Sequence, residues 1–180
     1  MPRIHILGAS GSGTSTLGAA LATQLGIPHA DADTFFWFPT DPPFSTPRPK
    51  PERVSLLQSA LPSDADWVFS GSAINWATPL EPYYDIVVYL RLDHAIRMAR
   101  LRRRETERYG NRIEPGGDMA SASAAFLAWA SAYDTAGLEQ RSQAAHEAWL
   151  KSRICPVLRL DSSSPVKDLL ATLLHRTYQL

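Results

Sequence analysis

Short segments that are apolar throughout alternate with longer segments in which apolar residues recur every three or four positions. The short segments predict strands at residues 3–7, 27–32, 67–69, 86–90 and 157–160. The longer segments predict helices, the first of which presents Leu17, Leu21 and Leu25 on one face. Further helices are predicted at residues 52–60, 94–109, through Phe126, Trp129 and Tyr133, and from about Ser164 onward. Apolar strands separated by helices indicate an α/β fold with a doubly wound, five-stranded parallel sheet covered on both faces.

The composition agrees with one globular domain and excludes several classes of protein. With 180 residues, 44% of them apolar and 20% charged, the chain can bury a core and is too apolar to be disordered. Lysine plus arginine and aspartate plus glutamate both total 18, so no net charge favours nucleic acid or an acidic membrane. The single cysteine, Cys155, excludes a disulfide framework, and no apolar run suits a membrane span or signal peptide. These features predict a soluble, cytoplasmic protein that binds neither nucleic acid nor membrane.

A glycine-rich turn follows the first predicted strand and opens the first predicted helix. Residues 8–15 match the phosphate-binding pattern G-x-x-x-x-G-K-[ST], except that Thr14 replaces the lysine. Glycines let backbone amides surround phosphate oxygens, a helix N-terminus adds further amides, and Ser15 occupies the position whose hydroxyl ligates magnesium. The predicted nucleotide-binding residues are Gly8, Ala9, Ser10, Gly11, Ser12, Gly13, Thr14, Ser15 and Thr16. The alternative is a strand-to-helix turn without a ligand.

In its element order and in this turn, the chain resembles the P-loop small-kinase superfamily, which includes adenylate, shikimate and gluconate kinases. It looks most like the adenylate-kinase-like, topology-modulation type of P-loop ATPase. The resemblance covers essentially all 180 residues, and the glycine-rich turn is its one specific motif. It implies a single P-loop kinase-like domain over residues 1–180, with an acceptor-binding lobe at about 34–63 and a lid at about 100–118. It also implies that ATP and Mg²⁺ are cofactors and that the γ-phosphoryl group of ATP passes to a small acceptor.

Asp31 and Asp33 follow the second predicted strand, where shikimate-kinase-like members carry a D-x-D pair. Alternate residues of a strand lie on the same side, so both carboxylates are predicted to face one cleft and to be catalytic. Asp31 is a candidate magnesium ligand with Ser15, and Asp33 is a candidate base for the acceptor hydroxyl. Alternatively, one aspartate caps a turn or helix and the other is solvated.

Four further residues are predicted to bind the acceptor together with Asp33. Arg48 and Arg53 lie in the predicted acceptor lobe, and their planar guanidinium groups suit carboxylates and phosphates, which predicts an anionic acceptor. Gly71 follows the third strand, where a glycine lets the backbone approach a ligand closely, and Trp76 is a candidate wall of the same pocket. The alternatives are surface positions for the arginines and a core position for the tryptophan.

Residues 91–112 contain eight arginines but only three acidic residues. In the superfamily that this chain resembles, the corresponding helix and the loop after it form a lid over the phosphates. A lid arginine is therefore predicted to supply the positive charge that Thr14 lacks. The catalytic candidates are Arg100, Arg104, Arg108 and Arg112. The alternative is a solvated basic helix face.

Together these patterns predict an ATP-binding P-loop kinase, a phosphotransferase whose acceptor is small and either anionic or nucleotide-like. Its expected partners are a nucleotide and that small molecule. Because Thr14 carries no charge, two alternatives stay open: a catalytically weak nucleotide-binding sensor or pseudokinase, and an ATPase coupled to a partner protein. The identity of the acceptor, the preferred nucleotide base and the oligomeric state do not follow from the sequence.

Overall fold

The computed structural model describes residues 2–177, in which five strands form one parallel sheet flanked by helices. The strands are β1 (Arg3–Gly8), β2 (His29–Asp31), β3 (Trp67–Ser70), β4 (Ile86–Arg91) and β5 (Val157–Asp161). Their spatial order is β2-β3-β1-β4-β5, so β1 lies at the centre and the winding direction reverses beside it. This arrangement confirms the predicted doubly wound α/β fold, in which ligands bind beyond the carboxyl ends of the strands.

The helices occupy the segments between and after these strands. They are α1 (Thr14–Leu25), α2 (Ala32–Phe36), α3 (Lys50–Ala60), α4 (His94–Tyr109), α5 (Ala120–Ser131), α6 (Gln143–Lys151) and α7 (Val166–Thr177). Short 3₁₀-helices cover Thr78–Tyr83, Gly110–Ile113 and Ala132–Asp134. The bounds of α4 agree with the predicted helix because the Asp93 carboxylate caps its first turn. Within the described part of the chain, no helix has the length and apolarity needed to cross a bilayer.

Both faces of the sheet are buried, because successive residues of each strand point to opposite sides. Ile4 and Ile6 of β1 pack on one face against Leu21 of α1 and Leu173 of α7. Leu7 points to the other face, which is covered by side chains from α3, the first 3₁₀-helix and α6. Burial on two faces explains why the strands are apolar at nearly every position.

The predicted second strand, residues 27–32, is too long. Only His29–Asp31 pairs with β3, and the chain turns at once into α2. The cause is local: the Asp31 carboxylate accepts a hydrogen bond from the Asp33 amide at 2.9 Å and caps the new helix. Asp33 therefore lies on a helix and not on an alternate strand position.

The long helical stretch predicted through Phe126, Trp129 and Tyr133 is also interrupted. Helix α5 ends at Ser131, and Tyr133 belongs to the following 3₁₀-turn. A separate helix, α6, then begins where the Ser142 hydroxyl accepts the Ala145 amide at 3.0 Å. Apolar residues keep the helical spacing across the end of α5, so the sequence pattern did not reveal that the helix ends there.

His5 is an unusual core residue because it is ionisable and fully buried on β1. Its ring stacks between those of Phe69 and Tyr84, with centroids 4.9 and 4.8 Å away. Its Nδ1 donates to the Phe69 carbonyl at 3.2 Å. Burial lowers the pKa of His5 to about 3, so the folded protein holds this ring neutral over a wide pH range.

Acid is therefore expected to destabilise the protein through His5. An unfolded histidine takes up a proton below about pH 6.5, whereas the folded one does so only near pH 3, so stability falls as pH falls between these values. The His5→Phe variant keeps the ring stack and removes the proton. The unfolding free energy of this variant, relative to that of wild type, should rise by about 2 kcal/mol when the pH is lowered from 6.5 to 4.5, as measured by urea denaturation. An equal difference from wild type at both pH values would contradict this assignment.

Candidate functional site

A cleft of about 1200 Å³ opens at the carboxyl edge of the sheet. Its floor is the turn of residues 8–17, and its walls come from β2, α2, α4, α5 and the first residues of α7. All nine predicted nucleotide-binding residues line it, and so do both aspartates and Gly71. Residues distant in sequence thus meet in one cavity, as expected at the point where the strand order reverses.

The glycine-rich turn has a backbone shape that only glycine accommodates easily. A Cβ atom on Gly8 would lie 2.5 Å from Ser12 Oγ and 2.6 Å from the Leu90 carbonyl oxygen. Gly13 precedes α1 with φ of +91°, a conformation that other residues rarely adopt. No side chain of the described residues caps α1, so its first amides point toward the cleft without a side-chain partner.

Ser12 provides the test of whether this turn fits a phosphate. Its side chain is fully buried, yet its Oγ has no hydrogen-bond partner anywhere in residues 2–177. An unsatisfied buried hydroxyl costs about 1–3 kcal/mol, which a ligand oxygen in the turn would offset. The residues present therefore fit an anionic ligand of the phosphate type.

Arg100 places a positive charge beside the turn that lacks a lysine. Its Nη1 lies 3.5 Å from the Gly11 carbonyl oxygen, a long hydrogen bond, and 3.9 Å from where a Cβ on Gly13 would be. Arg104 and Arg108 also line the cleft from α4. Of the four predicted lid arginines, Arg100 is the one whose guanidinium contacts the glycine-rich turn in the described part of the chain.

Arg112 lies elsewhere. Its guanidinium forms ion pairs with Asp41 at 2.6 Å and Asp118 at 2.7 Å, and it is not among the described residues that line the cleft. Arg97, three residues before Arg100 on α4, is buried and paired with Asp134. The charges of these two arginines are therefore already paired with carboxylates that join parts of the fold.

Asp31 and Asp33 have different surroundings although both face the cleft. Asp31 uses Oδ1 to cap α2 and accepts the Ser70 hydroxyl on Oδ2 at 3.0 Å. Asp33 lies two residues further on, in the first turn of α2, and desolvation followed by the negative charge of Asp31 raises its pKa. The positive charges of Arg141 and Arg104 act in the opposite direction. A carboxylate with a raised pKa is better suited to accept a proton than an ordinary aspartate.

Arg141 is a site residue that the sequence analysis missed. It precedes α6, donates to the Ser72 carbonyl at 3.3 Å, and holds its guanidinium 5.3 Å from the centre of the Trp129 ring. Burial lowers its pKa, and Asp33 is the largest opposing influence. A single arginine among polar residues belongs to no motif, so only the tertiary fold brings it to Asp33.

Arg104, on α4, completes this group. Its Nε is buried without a hydrogen-bond partner in residues 2–177. Burial, and then the like charge of Arg108, lowers its pKa, whereas Glu105 and Asp33 act in the opposite direction. Two partly desolvated guanidinium groups and one carboxylate leave positive charge unsatisfied at this end of the cleft. Such a group would bind an anion.

The three remaining predicted acceptor residues lie outside the cleft lining of the described chain. Arg48 pairs with Glu52 at 2.8 Å, and the guanidinium of Arg53 stacks 3.6 Å above the Phe36 ring. Trp76 is 5% exposed and belongs to the core. The aromatic run after Asp33 supplies ring faces that hold these arginines, so their planar groups are already used in packing.

The fold is that of the P-loop small kinases. The structure aligns with shikimate kinase from Bacteroides thetaiotaomicron at a TM-score of 0.58 and 15% identity, covering 99% of each chain. It aligns with a gluconokinase from Sinorhizobium meliloti 1021 at a TM-score of 0.55 and 16% identity, covering 98% of this chain and 95% of that one. A sugar kinase from Janibacter sp. HTCC2649 gives a TM-score of 0.50 and 14% identity, covering 97% and 93%.

At the level of sequence, the chain belongs to the family of the Bacillus subtilis (strain 168) protein described as uncharacterized protein YqaC. The two are 46% identical over 165 residues, which cover 92% of this chain and 91% of YqaC. No protein-family model matches the chain. The family relationship thus extends over nearly the whole length, whereas the relationship to the solved kinases is one of fold.

Proposed function

We propose that the protein is an ATP-dependent kinase that transfers the γ-phosphoryl group to a hydroxyl of a small anionic acceptor. The observation that carries this proposal is the composition of the cleft. One end is a glycine-rich turn at a helix N-terminus, with the orphaned hydroxyl of Ser12. The other end holds the carboxylate of Asp33, whose pKa is influenced by the positive charges of Arg104 and Arg141, and all three residues line the cleft. The kinase fold of the solved neighbours supports the same assignment.

The turn is the proposed nucleotide end. Its amides and Ser12 bind the phosphates, and Arg100 takes over the stabilisation of charge that a lysine would supply. Ser15 and Asp31 present hydroxyl and carboxylate oxygens to the same cleft, the ligand types that Mg²⁺ prefers. Magnesium held there with ATP would neutralise charge on the phosphate oxygens. In residues 2–177 no group of three or more histidine, cysteine or acidic side chains could hold a metal. A magnesium ion at Ser15 and Asp31 would therefore need further oxygen ligands from the nucleotide and water.

The arginine and aspartate group is the proposed acceptor end. The acceptor hydroxyl oxygen forms a bond to the γ-phosphorus while the bond to the β–γ bridging oxygen breaks, and ADP retains that electron pair. Asp33 accepts the hydroxyl proton. Arg104 and Arg141 hold the anionic group of the acceptor. The acceptor must therefore carry both an anionic group and a hydroxyl. Hydroxy acids, sugar acids and nucleotides meet this requirement.

The predicted lid and acceptor lobe meet across the mouth of this cleft. The Tyr109 hydroxyl donates to the Pro43 carbonyl at 3.0 Å, and the Arg108 guanidinium lies 4.0 Å above the Phe44 ring. We assign residues 100–118 as the lid and residues 34–63 as the acceptor lobe of a single kinase-like domain over residues 1–180. Their contacts would keep water from the phosphates during transfer.

Thr14 favours a second candidate function, a nucleotide-binding sensor that has lost turnover with its lysine. The test is transfer of label from γ-labelled ATP with magnesium across hydroxy acids, sugar acids and nucleoside monophosphates. We expect at least one acceptor to become labelled. Nucleotide binding without any labelled acceptor would favour the sensor, and absence of nucleotide binding would exclude both functions.

Nucleotide binding is expected to depend on Gly13. At 100 times its dissociation constant ATP should stabilise the folded state by about 2.7 kcal/mol, which raises Tm by about 5–10 °C. The Gly13→Val variant should lose this shift, because a side chain would enter the path of the phosphates. The matched control is Gly26→Val, which imposes similar backbone strain at φ of +68° at the other end of α1. A full nucleotide shift in Gly13→Val would exclude the proposed phosphate site.

A further inference from the structure

A chain of hydrogen bonds leads from the cleft into the core. Ser72 Oγ lies 2.8 Å from His146 Nε2, His146 Nδ1 lies 2.7 Å from the Tyr133 hydroxyl, and that hydroxyl lies 2.8 Å from the hydroxyl of Tyr89. These hydrogen-bonded side chains are buried: His146 is 0% exposed and Tyr89 is 1% exposed. Ser72, which is 8% exposed, lines the cleft beside Gly71. Nothing in the transfer step assigned above uses these four side chains.

These four side chains contain one more donor hydrogen than the hydrogen bonds between them require. Burial, and then the positive charge of Arg141, lowers the pKa of His146 to about 3, so its ring is neutral and carries one N–H. Ser72, Tyr133 and Tyr89 each carry one O–H. Four hydrogens therefore serve three hydrogen bonds. The tautomer of His146 decides which end of the chain keeps the fourth hydrogen.

If Nδ1 carries the hydrogen, Ser72 donates to His146 and the spare hydrogen falls on the tyrosine hydroxyls. Tyr89 and Tyr133 have no further acceptor for it among residues 2–177, although both border a smaller cavity of about 550 Å³. If Nε2 carries it, each tyrosine donates inward, His146 donates to Ser72, and the Ser72 hydrogen points into the cleft. In either arrangement one hydroxyl hydrogen has no acceptor among residues 2–177. The second arrangement is favoured because it leaves that hydrogen on Ser72, which lines the large cleft, where a bound oxyanion or water accepts it.

The neighbourhood of Ser72 agrees with this arrangement. Arg141 donates to the Ser72 carbonyl at 3.3 Å, so the guanidinium that holds the acceptor anion lies next to the serine. A hydroxyl that donates into this region adds to the attraction for an oxyanion. A hydroxyl that donated to His146 would instead present its lone pairs and repel the oxyanion.

We propose that Ser72 donates a hydrogen bond to an anionic oxygen of the phosphoryl acceptor, a carboxylate or a phosphate, and determines acceptor affinity together with Arg141. His146 is the positioning residue: its Nε2–H occupies the Ser72 oxygen and turns the serine hydrogen outward. Tyr133 and Tyr89 hold His146 in that tautomer. This inference rests on the proposed kinase function and adds the group that recognises the acceptor.

The tautomer of His146 is the first test. Long-range ¹H–¹⁵N NMR of the uniformly labelled protein distinguishes a protonated from an unprotonated ring nitrogen, and the His146→Gln variant identifies the signals. We expect Nε2 to be protonated and Nδ1 to be unprotonated. A protonated Nδ1 would overturn the inference, whatever the kinase assay shows.

Anion binding is the second test. With the cleft saturated by magnesium and a non-hydrolysable ATP analogue, inorganic phosphate and, separately, glycerate are titrated by calorimetry. We expect wild type to bind at least one probe and Ser72→Ala to bind it about 10- to 100-fold more weakly, the range for a hydrogen bond to a charged group. The stronger probe shows whether the oxyanion is a phosphate or a carboxylate. The affinity for the ATP analogue should be unchanged.

Ser123 supplies a matched control. It is a buried serine that lines the same cleft, but its hydroxyl donates to Glu105 at 2.8 Å and has no hydrogen to spare. Ser123→Ala should bind the probes as wild type does. An unchanged probe affinity in Ser72→Ala, or no binding of either probe to wild type, would overturn the inference.

The role of His146 is tested by rescue. His146→Gln retains an N–H donor toward Ser72 and should keep most of the probe affinity. His146→Leu should bind the probes more weakly than wild type but less weakly than Ser72→Ala, because the serine hydroxyl is still present and is no longer held in one orientation. Melting curves verify that each variant is folded at the temperature of measurement. Equal probe affinities in wild type and folded His146→Leu would contradict the positioning role. None of these measurements requires turnover, so their failure and the failure of phosphoryl transfer are separate results.

Discussion

Replacing Asp33 with asparagine is expected to reduce phosphoryl transfer by about 10²- to 10⁴-fold, the usual contribution of a general base. Asparagine keeps the shape of the side chain but does not accept the acceptor proton. The measurement is the initial rate with saturating ATP and an acceptor identified by the labelling panel. The nucleotide-induced rise in Tm should be unchanged, because Asp33 lies at the acceptor end of the cleft.

The pH dependence provides an independent test of the same residue. Asp33 must be ionised to accept a proton, so kcat/KM should fall as the pH drops through its pKa. Because burial raises that pKa, the acid limb should lie above the ordinary aspartate value of about 3.9. Asp31→Asn is the comparison: the amide oxygen still caps α2, so we expect a higher magnesium requirement and a smaller loss of rate. Wild-type rates in both variants would exclude the assigned roles.

Replacing Arg100 with alanine is expected to reduce the rate of transfer by about 10²- to 10³-fold, the range for loss of one preorganised group that stabilises transition-state charge. Arg100 is the cation that contacts the glycine-rich turn, through the Gly11 carbonyl. Thr14→Ala should cost much less, because a threonine contributes no charge. Both rates are compared at saturating ATP, with nucleotide affinity measured separately by calorimetry.

Two further variants make this prediction specific. Arg112→Ala is the comparison for loss of an arginine away from the turn: it breaks ion pairs with Asp41 and Asp118, one of which joins the lid to the acceptor lobe, so its effect on the rate should be clearly smaller than that of Arg100→Ala. Thr14→Lys in the Arg100→Ala background should restore much of the lost rate by returning the cation to the turn. Wild-type turnover in Arg100→Ala would exclude Arg100 as the replacement for the lysine.

The strands, the first helix and the glycine-rich turn could be predicted because their signals are local. A strand buried on two faces is apolar at consecutive positions, and a turn that holds phosphate needs glycines at fixed spacing. Helix α4 could be predicted equally well, since Asp93 caps it and apolar side chains recur along it. In each case a few neighbouring residues contain the whole physical reason.

Predictions failed or fell short where two local preferences compete. The residues around Asp31 favour an extended chain, but the Asp31 carboxylate also caps a helix, and the cap takes Asp33 out of the strand. The segment through Tyr133 continues the apolar spacing, but its backbone changes to a 3₁₀-turn at Ala132–Asp134, and the next helix begins only after Ser142. Periodicity reports which side chains are buried and does not report which backbone hydrogen bonds prevail.

By itself, the sequence determined the α/β class, the position of the glycine-rich turn after the first strand, and the replacement of its lysine by Thr14. Only the tertiary structure decided which arginines serve the cleft. It brings Arg141 to Asp33 and Arg100 to Gly11, whereas Arg53 is held on an aromatic ring and Arg112 by two carboxylates. Arg100 and Gly11 are 89 positions apart, and the pairing of charges across such separations depends on the distances that the packed sheet and helices create, which no spacing along the chain encodes.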